Sequence, residues 1–315
     1  MDSGDESDFY GIPSPVIFPY SSGEETAKEL EERVDSFNIQ DWWEQRKHVQ
    51  LALRLQAMRQ PQNNGNKAHL HNPYEGCAYA WQLTETVDAF LERLPPATTD
   101  ESESCPCIFI CNPWIERTPK VQAHNQHVRG SENEGPEEDK TDLPRFLAGG
   151  SERLGMVAAF ADFMKTSSKS KTAVAREVNK AGREATGDLL DLALNLHVRC
   201  GKWMIFCPVH SVDETWALVA KATANNELGI AAKVAPRSTV DQRTERLICV
   251  YTADFSDKED VHRVAGKLKQ FGLAQPHGRP LYYKPDCYTY LGIGSNNAWG
   301  IKASIYNTSE MLGKS

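Results

Sequence analysis

No apolar run in the 315 residues approaches the roughly 20 needed for a membrane-spanning helix. The GxxxxGK[ST] phosphate loop, the GxSxG elbow and the HExxH metal motif are all missing. Gly292-x-Gly294 is not followed by a helix pattern, so it does not read as a dinucleotide fingerprint. There is no internal repeat. Paired CxxC spacing is absent as well. The tightest cluster, Cys105-x-Cys107-x3-Cys111, lacks the ligand spacing of a structural zinc site, so neither a metal nor a cofactor is expected. In a long chain of this composition the eight cysteines read as thiols, several of them in the core, rather than as disulfides. The acidic start, Met1 to Asp8, is neither a secretory nor a transit signal. These absences lead to the expectation of a soluble protein with no membrane contact, cytoplasmic or else nuclear.

What is present begins with an uneven charge. The net charge of −8 would disfavour a polyanionic ligand if it were spread over the chain. It is not spread. Residues 1–35 carry ten acids against Lys28 and Arg33, a net −8 equal to that of the whole chain. From Leu143 onward there are 23 bases and 17 acids, a net +6. The first 35 residues read as an acidic, disordered arm, because their composition buries too little to offset ordering entropy. Residues 36–315 read as a single α+β domain with a polar insertion at about 115–142.

Periodicity predicts the elements. Helices are expected over about 41–59, from Thr84 with Val87, Phe90, Leu91 and Leu94 on one stripe, over 154–164, and from Val174 to Leu196. Ser211-x-x-Glu214 and Ser256-x-x-Glu259 read as capping boxes opening two more. Strands are expected at 108–110, 203–207, 228–235, 247–252, 281–284, 288–293 and 301–306. Strands joined by hairpin-type links imply a mainly antiparallel sheet with helices on one face, the α+β class.

Side chains alternate across a sheet. One side of the expected strands is aliphatic. The other gathers Lys233, Tyr288, Tyr290, Lys302, Ser304 and Tyr306, with Gly229, Ala231 and Gly292 leaving room between them. Arg246, Lys284 and Asp286 stand at strand ends. Trp114 lies in a loop after the first strand, placed to stack on a ring. A basic, tyrosine-bearing face suits a planar ligand that carries phosphate. The ligand-binding set read from the sequence is therefore Lys233, Arg246, Lys284, Asp286, Tyr288, Tyr290, Lys302, Ser304 and Trp114.

Several strings resemble a known family: Asn72-Pro73-Tyr74-Glu75-Gly76, Tyr79-Ala80-Trp81-Gln82-Leu83-Thr84-Glu85-Thr86-Val87, Gly201-Lys202-Trp203-Met204, Leu228-Gly229-Ile230-Ala231-Ala232-Lys233-Val234, and 283–293 from Tyr283-Lys284-Pro285-Asp286 to Gly292-Ile293. Over roughly 40–306 the chain is similar to the basophilic-leukaemia-expressed protein family, an uncharacterised domain. That family resembles in fold the cap-binding translation initiation factor 4E, which implies a curved, mainly antiparallel sheet with long helices packed on its convex face. The resemblance implies a nucleotide, an RNA cap or RNA as ligand on the concave face. Cap recognition grips a cationic methylated base between two aromatic faces, ideally Trp. Trp114 and Trp299 fall in loops, whereas Trp81, Trp203 and Trp216 fall within regular elements, as core residues would.

Three functions compete at this stage. The first is a nucleotide- or RNA-binding module on the concave face. The second is an enzyme acting on a phosphorylated substrate, centred on Lys284, Asp286, Tyr288 and Tyr290. The third is an adaptor that binds protein partners through the acidic arm and the 115–142 insertion, with the sheet face merely solvated. The first leads, and no catalytic residue is assigned.

Overall fold

A computed structural model of the chain describes residues 70–119 except 104, 134–238, 244–274 and 278–313, together with Ser36, Asn38 and Gln40. The chain divides into Met1–Lys47 and His48–Ser315. In the first unit, the Gln40 backbone N–H donates to Asn38 Oδ1 at 2.9 Å. The acidic arm and the expected helix over 41–59 lie outside the described residues.

The second unit is built on six strands: β1 Ile108–Cys111, β2 Gly201–Pro208, β3 Ala231–Val234, β4 Glu245–Thr252, β5 Tyr282–Pro285 and β6 Tyr306–Asn307. Their order is β1-β3-β4-β2-β5-β6, and each neighbouring pair is antiparallel. Among the described residues the α-helices are α1 Val87–Arg93, α2 Leu143–Lys165, α3 Lys171–Asn195, α4 Val212–Ala224, α5 Lys258–Gln270, α6 Asp286–Tyr290 and α7 Thr308–Met311. None of the described helices is long and apolar enough to cross a membrane. The fold is α+β, as the order of elements in the sequence implies.

Register assigns the two faces, because residues paired across an antiparallel ladder point the same way. On one face Trp203 and Ile205 align with Val250 and Ile248, and Val234 aligns with Ile108. Helices α4 and α5 cover it. Trp203 Nε1 donates to the Val261 carbonyl of α5 at 3.1 Å, and Trp216 of α4 is fully buried, its ring centroid 6.5 Å from that of Phe90. The other face carries Phe109, Lys233, Cys249, Tyr251, Lys202, Met204, Tyr282 and Lys284.

Capping fixes where the helices begin. Thr86 accepts from the Ala89 N–H and starts α1. Asp142 accepts from the Arg145 N–H, with Pro144 in the first turn, so α2 starts eleven residues before the expected Leu154. Ser211 makes no cap bond; its hydroxyl donates to the Pro208 carbonyl instead. Asp257 rather than Ser256 caps α5, accepting from the Glu259 and Asp260 N–H groups.

Two expected strands are corrected. Residues 288–293 are not extended: Pro285 ends β5, Asp286–Tyr290 is α6, and Gly292 closes the turn at φ +70°. Residues 301–306 are not a strand either. Asn297 holds 294–301 as a loop, its amide donating to the Gly294 and Ile301 carbonyls and its oxygen accepting from the Trp299 and Ile301 N–H groups. Pairing resumes only at Tyr306–Asn307. The alternation of Tyr288 and Tyr290 is that of one short helical turn.

Packing tolerance differs sharply between glycines. A Cβ at Gly229 would lie 1.8 Å from the Tyr251 carbonyl oxygen, whereas one at Gly294 meets nothing within 4 Å. Gly229→Ala should therefore destabilise by about 3 kcal/mol or more, and Gly294→Ala by under about 1 kcal/mol. Urea unfolding midpoints of the two variants check this; equal midpoints would mean the β3–β4 approach is looser than described.

Candidate functional site

Three elements bring charge to the second face. Lys202 comes from β2, where it sits between Gly201 and Trp203 in an otherwise apolar strand. Lys233 comes from β3 and Tyr251 from β4. The polar insertion then folds back over them. Glu134 is buried against Tyr251, and a Cβ on the next residue, Gly135, would lie 2.6 Å from that ring, so only glycine lets the backbone pass here. Arg117 donates to the Pro136 carbonyl at 3.1 Å and to Cys200 Sγ at 3.1 Å, tying the segment 134–137 to the start of β2. An expected surface loop is thus, at its C-terminal end, a strap across the sheet.

The polar groups converge closely. Lys202 Nζ donates to Glu134 Oε2, to Asp286 Oδ1 at 2.9 Å and to Thr289 Oγ1 at 3.0 Å, which uses all three of its protons. Lys233 Nζ reaches Glu134 Oε1 at 3.3 Å. The Tyr251 hydroxyl donates to Glu134 Oε2 at 3.0 Å, and both ammonium groups stand about a ring's reach above its face, 5.6 and 6.0 Å from the centroid. Two cations and two anions balance in a buried site.

Protonation follows from how the anions are shared. Burial pushes the Glu134 carboxyl up, but Lys233, Lys202 and the Tyr251 hydrogen bond outweigh it and hold Glu134 below its ordinary range. Asp286 is hydrogen-bonded by Lys202 with Lys233 farther off; burial outweighs both, neighbouring Glu134 adds to it, and the Asp286 carboxyl is raised. Burial opposes the charge on Lys202 and Lys233, yet the carboxylates win and both ammonium groups are held more firmly than usual. Lys284 goes the other way. Burial and then the Lys202 charge lower it. Asp286 Oδ2 and the hydroxyls of Tyr74 and Tyr290 are buried with no hydrogen-bond partner among the described residues.

Not all residues expected from the sequence meet here. Lys233, Lys284 and Asp286 do. Tyr290 comes in from α6 with its hydroxyl buried, and burial followed by the Asp286 charge raises it. Tyr288 is fully buried with Thr186 of α3 beside its hydroxyl. Arg246 pairs with Cys207 across β4 and β2, which puts it on the opposite, helix-covered face. Lys302 is exposed and Ser304 half-buried on the loop before β6, away from any ladder. Trp114 is 43% exposed beyond the other sheet edge, donating from Nε1 to the Ala224 carbonyl at 3.1 Å. Trp81, Trp203 and Trp216 are core residues, as expected.

Lys202, Glu134, Tyr251 and Thr289 were not legible as site residues. Lys202 carried one signal, since alternation along 202–206 puts it with Met204 and Phe206 opposite Trp203 and Ile205. Glu134 carried none. The cysteines stay out of the chemistry: all eight are free thiols, and burial pushes Cys111, Cys200, Cys207 and Cys249 up to about 12. Among the described residues no group of three His, Cys, Asp or Glu side chains is placed to hold a metal ion.

Removing one partner of such a network leaves a buried charge without compensation. Lys202→Met should cost about 3–5 kcal/mol, and Lys202→Met with Asp286→Asn, which keeps the Lys233–Glu134 pair, should recover much of that; chemical denaturation of the single and double variants measures it. Because the Glu134 carboxyl is lowered on folding, its contribution is complete above its ordinary value of 4.5 and is lost as pH falls through the lower folded value. Glu134→Gln should accordingly flatten the acid side of the melting-temperature profile. An unchanged acid limb would show that Glu134 is not anchored.

Residues 30–292 match the family model of the basophilic leukemia-expressed protein Bles03, and the match takes in the strap, β1 to β5, α6 and every side chain of the buried network. The chain belongs to the basophilic leukemia-expressed protein Bles03 family.

Proposed function

We propose that the second sheet face binds a nucleotide or a short stretch of single-stranded RNA. One observation carries the reading: along β2 that face grades from buried Lys202 through half-buried Met204 to exposed Phe206. Tyr282 pairs with Met204 from β5 and is also exposed. Phe206 and Tyr282 are two of seven large apolar side chains open to solvent among the described residues, and they share a face with three lysines. Rings at one end and ammonium groups at the other suit a base and its phosphates. Phe206 lies four steps along the strand from Lys202, about 13 Å, the reach of one nucleotide with its phosphates.

The side chains divide the work. Phe206 and Tyr282 offer stacking faces. Arg279 already lies 5.1 Å from the Phe206 ring centroid and would keep that cation contact or turn to a phosphate. Lys284, half-buried next to Tyr282 along the same face, meets the first phosphate. Lys202 and Lys233 are engaged by Glu134, a carboxylate delivered by a loop, in the way an anionic ligand would engage them. A longer phosphate chain would compete with Glu134 for those two ammonium groups. The resemblance to a cap-binding fold agrees with a nucleotide ligand. A tryptophan sandwich is not required, since Phe206 and Tyr282 serve as the rings.

Fluorescence titration with nucleoside triphosphates, a cap analogue and a short single-stranded RNA at low salt tests the proposal. Phe206→Ala or Tyr282→Ala should each weaken binding by about 1–3 kcal/mol, and affinity should fall steeply with salt. Glu134→Gln should tighten binding of ligands with more than one phosphate. Absence of binding by every probe at low salt would end this reading.

A further inference from the structure

We infer that Lys284 is a nucleophilic lysine that captures a planar carbonyl compound as an imine at the edge of this sheet face. The inference does not rest on nucleotide binding, although it uses the same aromatic shelf.

Three features of the geometry support it. First, the Lys284 ammonium makes no hydrogen bond and no ion pair among the described residues, whereas Lys202 and Lys233 on the same face are both tied to carboxylates. Second, Lys284 stands opposite Lys202 in the β2–β5 register, so two like charges share one spot. Third, it is half-buried rather than hidden, and its neighbours along the face are exposed Tyr282 and half-buried Met204. An amine that is partly desolvated, beside another cation and without an anion of its own, loses its proton more easily than a surface lysine. The charged and titratable groups that face it are Lys202 of β2, Glu134 of the strap, Asp286 of α6 and Cys249 of β4. The carboxylates oppose the effect, and burial together with Lys202 prevails.

The chemistry balances without any further reagent. The neutral amine attacks the carbonyl carbon and a carbon–nitrogen bond forms. The nitrogen gives up two protons, the carbonyl oxygen departs with them as water, and a carbon–nitrogen double bond remains. No oxidant or reductant takes part. Tyr282 and Met204 offer an apolar, partly aromatic floor beside the amine, which selects a flat carbonyl compound over a compact polar one.

The test uses the full chain with benzaldehyde at a limiting concentration, cyanoborohydride to trap imines, and peptide mass mapping to rank the lysines. Benzaldehyde has neither phosphate nor base, so the outcome is independent of whether nucleotides bind. Lys284 should be modified at least about threefold faster than exposed Lys302 and Lys169, and the preference should vanish in urea. Tyr282→Ala should reduce the lead of Lys284 while surface lysines keep their rates. A Lys284 rate equal to or below that of Lys302 in the folded protein would overturn the inference.

Discussion

Two ammonium groups on one sheet face cannot be taken out of water without an anion between them, and in this chain Glu134 is that anion. Much of the local structure depends on the solution. The strap must cross Tyr251 closely enough to put Glu134 between Lys202 and Lys233, which is why Gly135 follows it. Arg117 must hold Pro136 in place. The chain after β5 must turn at once into α6, because only there does Asp286 reach the remaining side of Lys202 and Thr289 its last proton. Continuing β5 as a strand would have carried Thr289 to the opposite face.

The same constraint changes what the face offers. Read as a list, Lys202, Lys233 and Lys284 make a basic surface. In the folded chain two of these charges are neutralised from within, and the third is the one that burial discourages. The face is therefore split. One end is a closed, charge-balanced core of polar groups; the other is an open aromatic shelf of Phe206 and Tyr282 next to Lys284. The +6 of the C-terminal part is consequently a poor guide to the field at this face, since two of the three lysines that sit there are engaged by carboxylates.

How far the sequence revealed this depends on the kind of interaction. Regular periodicities were legible: the stripe of α1, the long repeat of α3, and the alternation that put Lys233 opposite Val234 and Ala232. These report backbone geometry, which is local. Alternation in 288–293 failed because six residues are too few to distinguish a strand from one helical turn, and Pro285 with Gly292 set the boundaries instead. Ser211 and Ser256 fitted the capping pattern, yet a neighbouring turn took the first hydroxyl and Asp257 outcompeted the second. Arg246 was assigned to the wrong face because its position at a strand end hides its register. Glu134, in a polar stretch without period, is separated from Lys202 by 68 positions, and no local pattern encodes a contact of that range.

A buried network of this kind is weak support for stability in itself, since well-packed apolar side chains in its place would hold the sheet as well or better. What distinguishes it here is where each charge comes from. The cations belong to central strands β2 and β3 and cannot move without unfolding the sheet. One anion, Asp286, is fixed by the short helix that follows β5. The other is carried by a loop, and a loop contact is the member of the set that opens at least cost. Releasing Glu134 would leave two ammonium groups facing a single carboxylate in a low-dielectric site, a state that draws in any anion of suitable size. The position of one loop residue thus sets whether this buried network is balanced or carries an excess positive charge, and it does so without moving a strand.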